Sequence, residues 1–268
     1  MSDQFTRELL YQLHPQKVRE LIREGRIRQP TAGISAGFAQ GNLVVLPKVH
    51  AYDFLLYTQR NAKMCPVIEV SDAGSREFKR SAKGSDIARD IPRYCLYRDG
   101  VLEGEVESVE KYWRDDLISF LLGSGISYEM ALIDAGIDVR HLDDGLNAPI
   151  YITNQPTQSA GIFSGPMLVS MLPIPRRKLV KAVTVTSALT DIYGAPVHIG
   201  DPSMLGITDL FNPDFGEPTV LRPDEVPVFW SCGITAQYAV MCAKLDFVIT
   251  HAPGHMFITD IKNGDLFA

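Results

Sequence analysis

The side chains best suited to proton or acyl chemistry fall close together near the C-terminus: Cys232, His251 and His255. Cys232 follows the apolar run Val226-Pro-Val-Phe-Trp-Ser231, which reads as a buried strand; Pro227 stands near its start, where a missing N–H is least costly. Cys232-Gly233 is then the turn out of that strand. Thr235 caps a helix ending near Lys244, and Asp246-Phe-Val-Ile-Thr250 is a second strand that delivers His251. If the two strands are parallel neighbours, the helix between them is the crossover of a βαβ unit. Thiol and imidazole would then both lie at strand C-termini, the edge at which open parallel sheets bind ligands. The partial positive charge of the helix N-terminus would favour thiolate over thiol. That arrangement supplies a nucleophile or acid beside a base. The competing reading is that Cys232 is a small buried hydrophobe, as free cysteines usually are.

Metal and nucleotide chemistry find less support. His251 and His255 are four apart, but Pro253 and Gly254 between them oppose a helix, and no Glu follows His251 to complete a His-Glu-x-x-His pattern. A metal site drawn from His198, Asp201, His251 and His255 is specified by no spacing, so none is expected. Gly123-Ser124-Gly125 is no phosphate loop, the dinucleotide fingerprint is missing, and no cofactor is expected. A second polar cluster is the tight loop Gly194-Ala-Pro-Val-His198-Ile-Gly-Asp201-Pro202, where His198 and Asp201 either bind substrate or merely cap a strand and close a turn.

The elements that must position these groups read as follows. Residues 9–24 have helical periodicity, 42–46 form a buried strand, 51–60 a helix and 65–70 an apolar extended run. Residues 71–90 are polar and glycine-bearing, a mobile loop or lid. Asp99-Gly100 between two short strands is a type I′ hairpin signal. Residues 110–122 read as helical, as do 127–135, with Ser127 as N-cap and Gly136 as stop. Strands at 150–153 and 167–172, a helix over 177–189 and a loop-rich stretch to 224 complete the chain. This order implies an α/β fold: a mixed, largely parallel central sheet flanked by helices, with a smaller inserted α+β subdomain. The expected division is 1–106 with 190–268 as the main domain and 107–189 as the insertion.

Composition bounds the partners. The 268 residues are 46% hydrophobic and 22% charged, near the globular average, and the formal charge is −6. That balance argues against nucleic acid, whose phosphates need clustered Lys and Arg. No apolar stretch is long enough to span a bilayer, and Met1-Ser2-Asp3-Gln4 does not open a secretory signal. The four cysteines lie far apart, as free thiols in a reducing cytoplasm would. A homo-oligomer would be ordinary for a chain of this size.

Pro30-Thr-Ala-Gly33, Gln40-Gly-Asn42-Leu, Phe120-Leu-Leu-Gly123, Tyr151-Ile-Thr-Asn154, Gly194–Pro202, Phe229-Trp-Ser-Cys-Gly233 and His251-Ala-Pro-Gly-His-Met-Phe257 together resemble the bacterial hydro-lyases related to D-glutamate cyclase, in that order and over nearly the whole chain. The resemblance implies an α/β lyase that closes D-glutamate to 5-oxo-D-proline with loss of water. Its reacting groups would be Cys232, His251 and His255. Thr31, Gln40, Asn42, Arg93, Thr153, Asn154, His198 and Asp201 would bind a small amino or keto acid. Ile152, Gln158, Ile162 and Leu172 stand where arginine is common in the family, and Ser124 where cysteine is, which points toward a less charged acid. Two other classes fit the same residues: a non-catalytic small-molecule-binding or regulatory protein, and a metal-dependent hydrolase.

Overall fold

Proline and continuous apolar runs set most of the element boundaries in the computed structural model, which describes residues 5–189 and 192–267. In chain order the elements are α1 (Arg7–Gln12), α2 (Pro15–Arg23), β1 (Phe38–Pro47), α3 (Lys48–Arg60), β2 (Val67–Val70), β3 (Tyr94–Arg98), β4 (Val101–Val106), β5 (Leu117–Gly123) and α4 (Ile126–Asp134). There follow α5 (Arg140–Asp143), β6 (Ile150–Pro156), β7 (Pro166–Pro175), α6 (Leu179–Ser187), β8 (His198–Ile199), β9 (Glu225–Ser231), α7 (Ile234–Cys242), β10 (Val248–His251) and β11 (Phe257–Lys262). The single helix expected over 9–24 is two. Pro15 opens the second, its missing N–H costing nothing at a first turn, and the His14 side chain accepts from the Gln16 N–H. No described helix is long and apolar enough to cross a membrane.

Among the described residues the strands form two sheets. One has seven strands in the order β2-β5-β1-β10-β3-β4, with β11 also on β1; the other has four, β6-β7-β9-β8. Every ladder in both is antiparallel, which corrects the largely parallel sheet expected from the sequence. The error has an identifiable source. A helix between two strands implies a parallel crossover only if both strands join one sheet. Here β9 pairs with β7 from Val169↔Ser231 to Pro175↔Glu225, whereas β10 inserts between β1 and β3. Helix α7 therefore carries the chain from one sheet to the other, and the βαβ unit does not exist.

Two further expectations fail for related reasons. Residues 110–122 hold only a 3-10 turn at Glu110–Tyr112 before β5. Leu117–Gly123 is apolar on both faces, so periodicity cannot separate helix from buried strand. Residues 71–90 are not a lid: Phe78, Ala82, Ile87 and Ala88 are buried in one cluster with Leu43, Val45 and Ile249. The Glu69 carboxylate pins this segment by accepting from the Arg80 and Ser81 N–H groups. The hairpin is as expected, with Asp99 at φ 49° and Gly100 at φ 79°.

Alternation along β1 divides the interior. Leu43 and Val45 face that first cluster, while Val44 and Leu46 pack with Phe54 and Tyr57 of α3 and Ala236 and Val240 of α7. A third cluster joins one face of the four-stranded sheet to α4 and α6 through Tyr128, Leu132, Ala182 and Trp230. Tyr151, Met171 and Phe229 line its opposite face.

Candidate active site

Strand β1 changes partner along one edge: Val44 pairs with Thr250 of β10, but Gly41 pairs with Phe257 of β11. Between them the chain turns through Ala252–His255, with Gly254 at φ 77°. Side chains fill the gap. The Leu43 N–H donates to His251 Nδ1 at 3.1 Å, and Gln237 Nε2 of α7 donates to the Leu43 carbonyl at 3.3 Å, lying 2.8 Å from the same Nδ1. Accepting at Nδ1, a neutral His251 carries its proton at Nε2. Burial drives its pKa down to about 4, so the ring is neutral near pH 7.

His255 has the opposite tautomer. Its Nδ1 lies 2.8 Å from the Pro253 carbonyl, which can only accept, so Nδ1 donates and Nε2 bears the lone pair of the neutral ring. Burial lowers its pKa as well, against the Pro253 and Arg28 carbonyls, which favour protonation. Thr31 braces this turn: its N–H and hydroxyl reach the Gly254 carbonyl, and its oxygen accepts from Met256 N–H. Gln40 Nε2 donates to the carbonyls of Thr31 and Ile34 at 3.0 Å each. That fixes the amide orientation and leaves Gln40 Oε1 buried without a hydrogen-bond partner.

Cys232 follows β9, its N–H donating to the Leu168 carbonyl, and Gly233 caps α7. Burial works against the helix-terminus argument for a thiolate. The Ile234 N–H and the neighbouring Ser170 hydroxyl do favour ionisation, but burial outweighs both and the nearby Glu129 carboxylate adds to it, pushing the thiol up. The residue is half-buried, and burial holds it as a protonated S–H. Beside it, Asn42 Nδ2 and the Tyr193 hydroxyl both donate to the Gly123 carbonyl, at 2.6 and 2.5 Å. Tyr128 stacks on Trp230, centroids 5.4 Å apart. Glu129 and His141, both buried, pair at 3.3 Å. Sequence reading missed Tyr128, Glu129 and His141. The available signal was an Ile-Ser-Tyr-Glu helix start directly after the Gly-Ser-Gly that closes a buried strand.

The remaining expected binding residues divide. Thr31 and Gln40 stand with His255, and Asn42 with Cys232. Arg93 is partly exposed and paired with Glu105 at 3.3 Å, while its carbonyl holds the Ala252 N–H. Four belong to the other sheet: Thr153 donates to the Met167 carbonyl, Asn154 is exposed, and His198 Nε2 lies 2.7 Å from the Asp201 carbonyl. His198 packs on Phe229, so it stands on the face opposite Trp230. Asp201 accepts from the Ser203 N–H, which holds its carboxyl below the usual range; it closes a turn. The structure does not gather these four around Cys232. Nor do the positions lacking arginine share one surface, since Leu172 is buried core and Ile162 is exposed. Among the described residues no three His, Cys, Asp or Glu side chains are placed to hold a metal. A cleft of about 430 Å³ opens beside the Thr31–His255 cluster, lined in part by Pro30, Ile34, Leu142, Asp144, Asn147 and Gly254. It brings the Pro30–Gly33 and His251–Phe257 motifs to one surface.

The family model described as D-glutamate cyclase matches residues 118–260. A Clostridium beijerinckii protein named "Putative hydro-lyase" is 54% identical, the alignment covering 95% of this chain and 97% of that one. The chain belongs to the D-glutamate cyclase family. A Thermoanaerobacter relative with the same kind of name is 54% identical over 94% of this chain and 95% of its own, and Bacillus subtilis "Putative hydro-lyase YcsI" 52% identical over 94% and 98%. A crystal structure of a nitrogen repressor-like protein from Methanococcus jannaschii aligns over 94% of this chain and 97% of its own, at 9% identity and a TM-score of 0.42. For this member of the D-glutamate cyclase family, the matched span takes in Cys232, His251 and His255 and leaves Thr31, Gln40 and Asn42 outside it.

Proposed function

We propose that this protein is a hydro-lyase that cyclises D-glutamate, or a related small amino acid, with loss of water and without a resident cofactor. Beyond the family, one observation carries the reading: two buried, neutral imidazoles of opposite tautomer, one offering a lone pair and the other an N–H. Lactam closure needs both. The substrate amine forms a C–N bond to the side-chain carboxyl carbon and sheds a proton; a carboxyl C–O bond breaks and its oxygen leaves as water after gaining protons. His255 Nε2 is the base that takes the amine proton. As imidazolium His255 returns the amine protons to the leaving oxygen, which departs as water; the His251 Nε2–H and the Cys232 S–H steady that oxygen by hydrogen bonds and keep their own protons. Gln40 Oε1 accepts from the substrate nitrogen, which satisfies an otherwise unpaired buried acceptor.

The test is to incubate purified protein with a panel of D- and L-amino acids, with and without chelator, and follow cyclised product by NMR. The reading expects 5-oxo-D-proline or a homologous lactam, insensitive to chelator, and a fall of about 10²-fold in rate for His255→Gln. No cyclised product from any member of the panel would remove it. Thermal stabilisation by these acids without turnover would instead favour a binding protein.

A further inference from the structure

Tyr128 sits in the first turn of α4, its ring stacked on Trp230 at an interplanar angle of 15° and edge-on to Tyr193 with centroids 6.1 Å apart. The residue is 1% exposed, and its hydroxyl is buried without a hydrogen-bond partner. The Ser170 hydroxyl lies near it without hydrogen-bond geometry. Packing does not require this oxygen: phenylalanine would keep both ring contacts. An unmet buried hydroxyl works against folding, so its presence demands a reason other than stability.

Its surroundings supply one. Trp230, on which the ring lies, pairs in register with Ser170 and precedes Ser231-Cys232. Tyr193, against its edge, holds the Gly123 carbonyl together with Asn42, and Gly233 seats on that pair so closely that a Cβ would overlap both side chains. Gly125 borders the same ring edge: a Cβ there would come within 3.2 Å of Tyr128 Cε1 and 3.6 Å of the hydroxyl, so glycine leaves that edge without a side chain over it. The orphan donor and the Cys232 thiol thus lie near one another, with Ser170 beside both.

We propose that Tyr128 is a catalytic hydrogen-bond donor whose hydroxyl meets the substrate carboxyl oxygen that gains negative charge as the amine adds to its carbon. The O–H bond is not broken; the hydrogen bond strengthens as charge develops, as oxyanion donors act. This rests on the cyclisation reading and names the group that stabilises its tetrahedral intermediate.

The experiment is Tyr128→Phe. Expected are a melting temperature at or above wild type, kcat lower by about 10²-fold and KM within about threefold. A kcat within about twofold of wild type would overturn the proposal. Should Tyr128→Phe fold poorly, 3-fluorotyrosine at this position keeps ring and donor while acidifying it. The alkaline limb of the rate profile then moves to lower pH, and an unmoved limb overturns the assignment. If the wild type turns over none of the panel, so that the cyclisation reading itself has failed, stabilisation by 5-oxo-D-proline is compared instead. A shift in wild type that Tyr128→Phe loses supports the donor; equal shifts, including none in either, overturn it.

Discussion

His251 shows how one side chain can serve architecture and chemistry at once. Its Nδ1 replaces the strand partner that Leu43 lacks, so His251→Ala should leave that N–H unpaired beside a cavity and cost about 2–4 kcal/mol by urea unfolding. His251→Asn places an acceptor near the Nδ1 position and should recover a good part of the loss while removing the Nε2–H. An alanine variant as stable as wild type would deny the structural role. The same burial sets a pH dependence. The folded pKa, about 4, lies below the ordinary 6.5, so the neutral ring's contribution is complete above pH 6.5. As pH falls the unfolded chain protonates first, and stability on the order of 3 kcal/mol is lost by the time pH reaches 4. His251→Asn should flatten that part of the curve. For Cys232, burial keeps the thiol protonated, so iodoacetamide should label the exposed Cys242 well before it at pH 7.5, as peptide mass spectrometry would show. Preferential labelling of Cys232 would mean that its thiolate is accessible after all.

At the scale of elements, the path from β9 into α7 depends on Gly233. A Cβ there would overlap the Tyr193 hydroxyl and Asn42 Nδ2 and lie 3.0 Å from the Gly123 carbonyl. Gly233→Ala should therefore destabilise by about 1–3 kcal/mol, and Tyr193→Phe, which removes one of the overlapping atoms, should relieve part of that in the double variant. Strictly additive losses would argue that the two side chains do not compete for this space. Most of these elements are legible in the chain: the Asp99-Gly100 hairpin, β9 with Pro227 near its start and the Gly136 stop all follow from local turn and capping chemistry. Sheet assignment is not local. Nothing in 226–251 says that β10 prefers the edge of β1 to that of β9, because both strands are apolar and the choice lies in ladders contributed by distant segments. The candidate site shares that limit. Cys232 and the histidines announce themselves by type, but Glu129 and His141 acquire meaning only when α4 and α5 fold together.

For the whole molecule, the two sheets have largely separate interiors, and the N-terminal helices belong to one of them. Helix α2 lays Val18, Leu21 and Ile22 against Ile258 of β11, with a charge buried in the same face. Arg19, 1% exposed, donates to the Ile258 carbonyl at 2.9 Å and takes both oxygens of Asp260, at 2.9 and 3.0 Å, while its Nε lies 3.8 Å from Asp90. Asp90 is wholly buried and also bound by Arg23. Burial, the largest influence, raises its pKa, whereas the same bond holds the partly exposed Arg23 more firmly charged. The two partners differ because desolvation is the largest influence on the buried carboxylate, whereas for Arg23 it comes second to the hydrogen bond. Removing Arg19 leaves a carbonyl unmet and two carboxylates short of a cation, so Arg19→Met should cost about 3–5 kcal/mol. The loss should shrink as pH falls through the folded pKa of Asp90, since protonation relieves the uncompensated charge. It should also be local. Amide exchange in β11 and residues 30–34, which form a wall of the cleft, should accelerate, while the β7–β9 ladder keeps its protection. Exchange that rises equally in both sheets would show instead that they open as one unit, and the cleft could then not loosen without also disturbing Cys232.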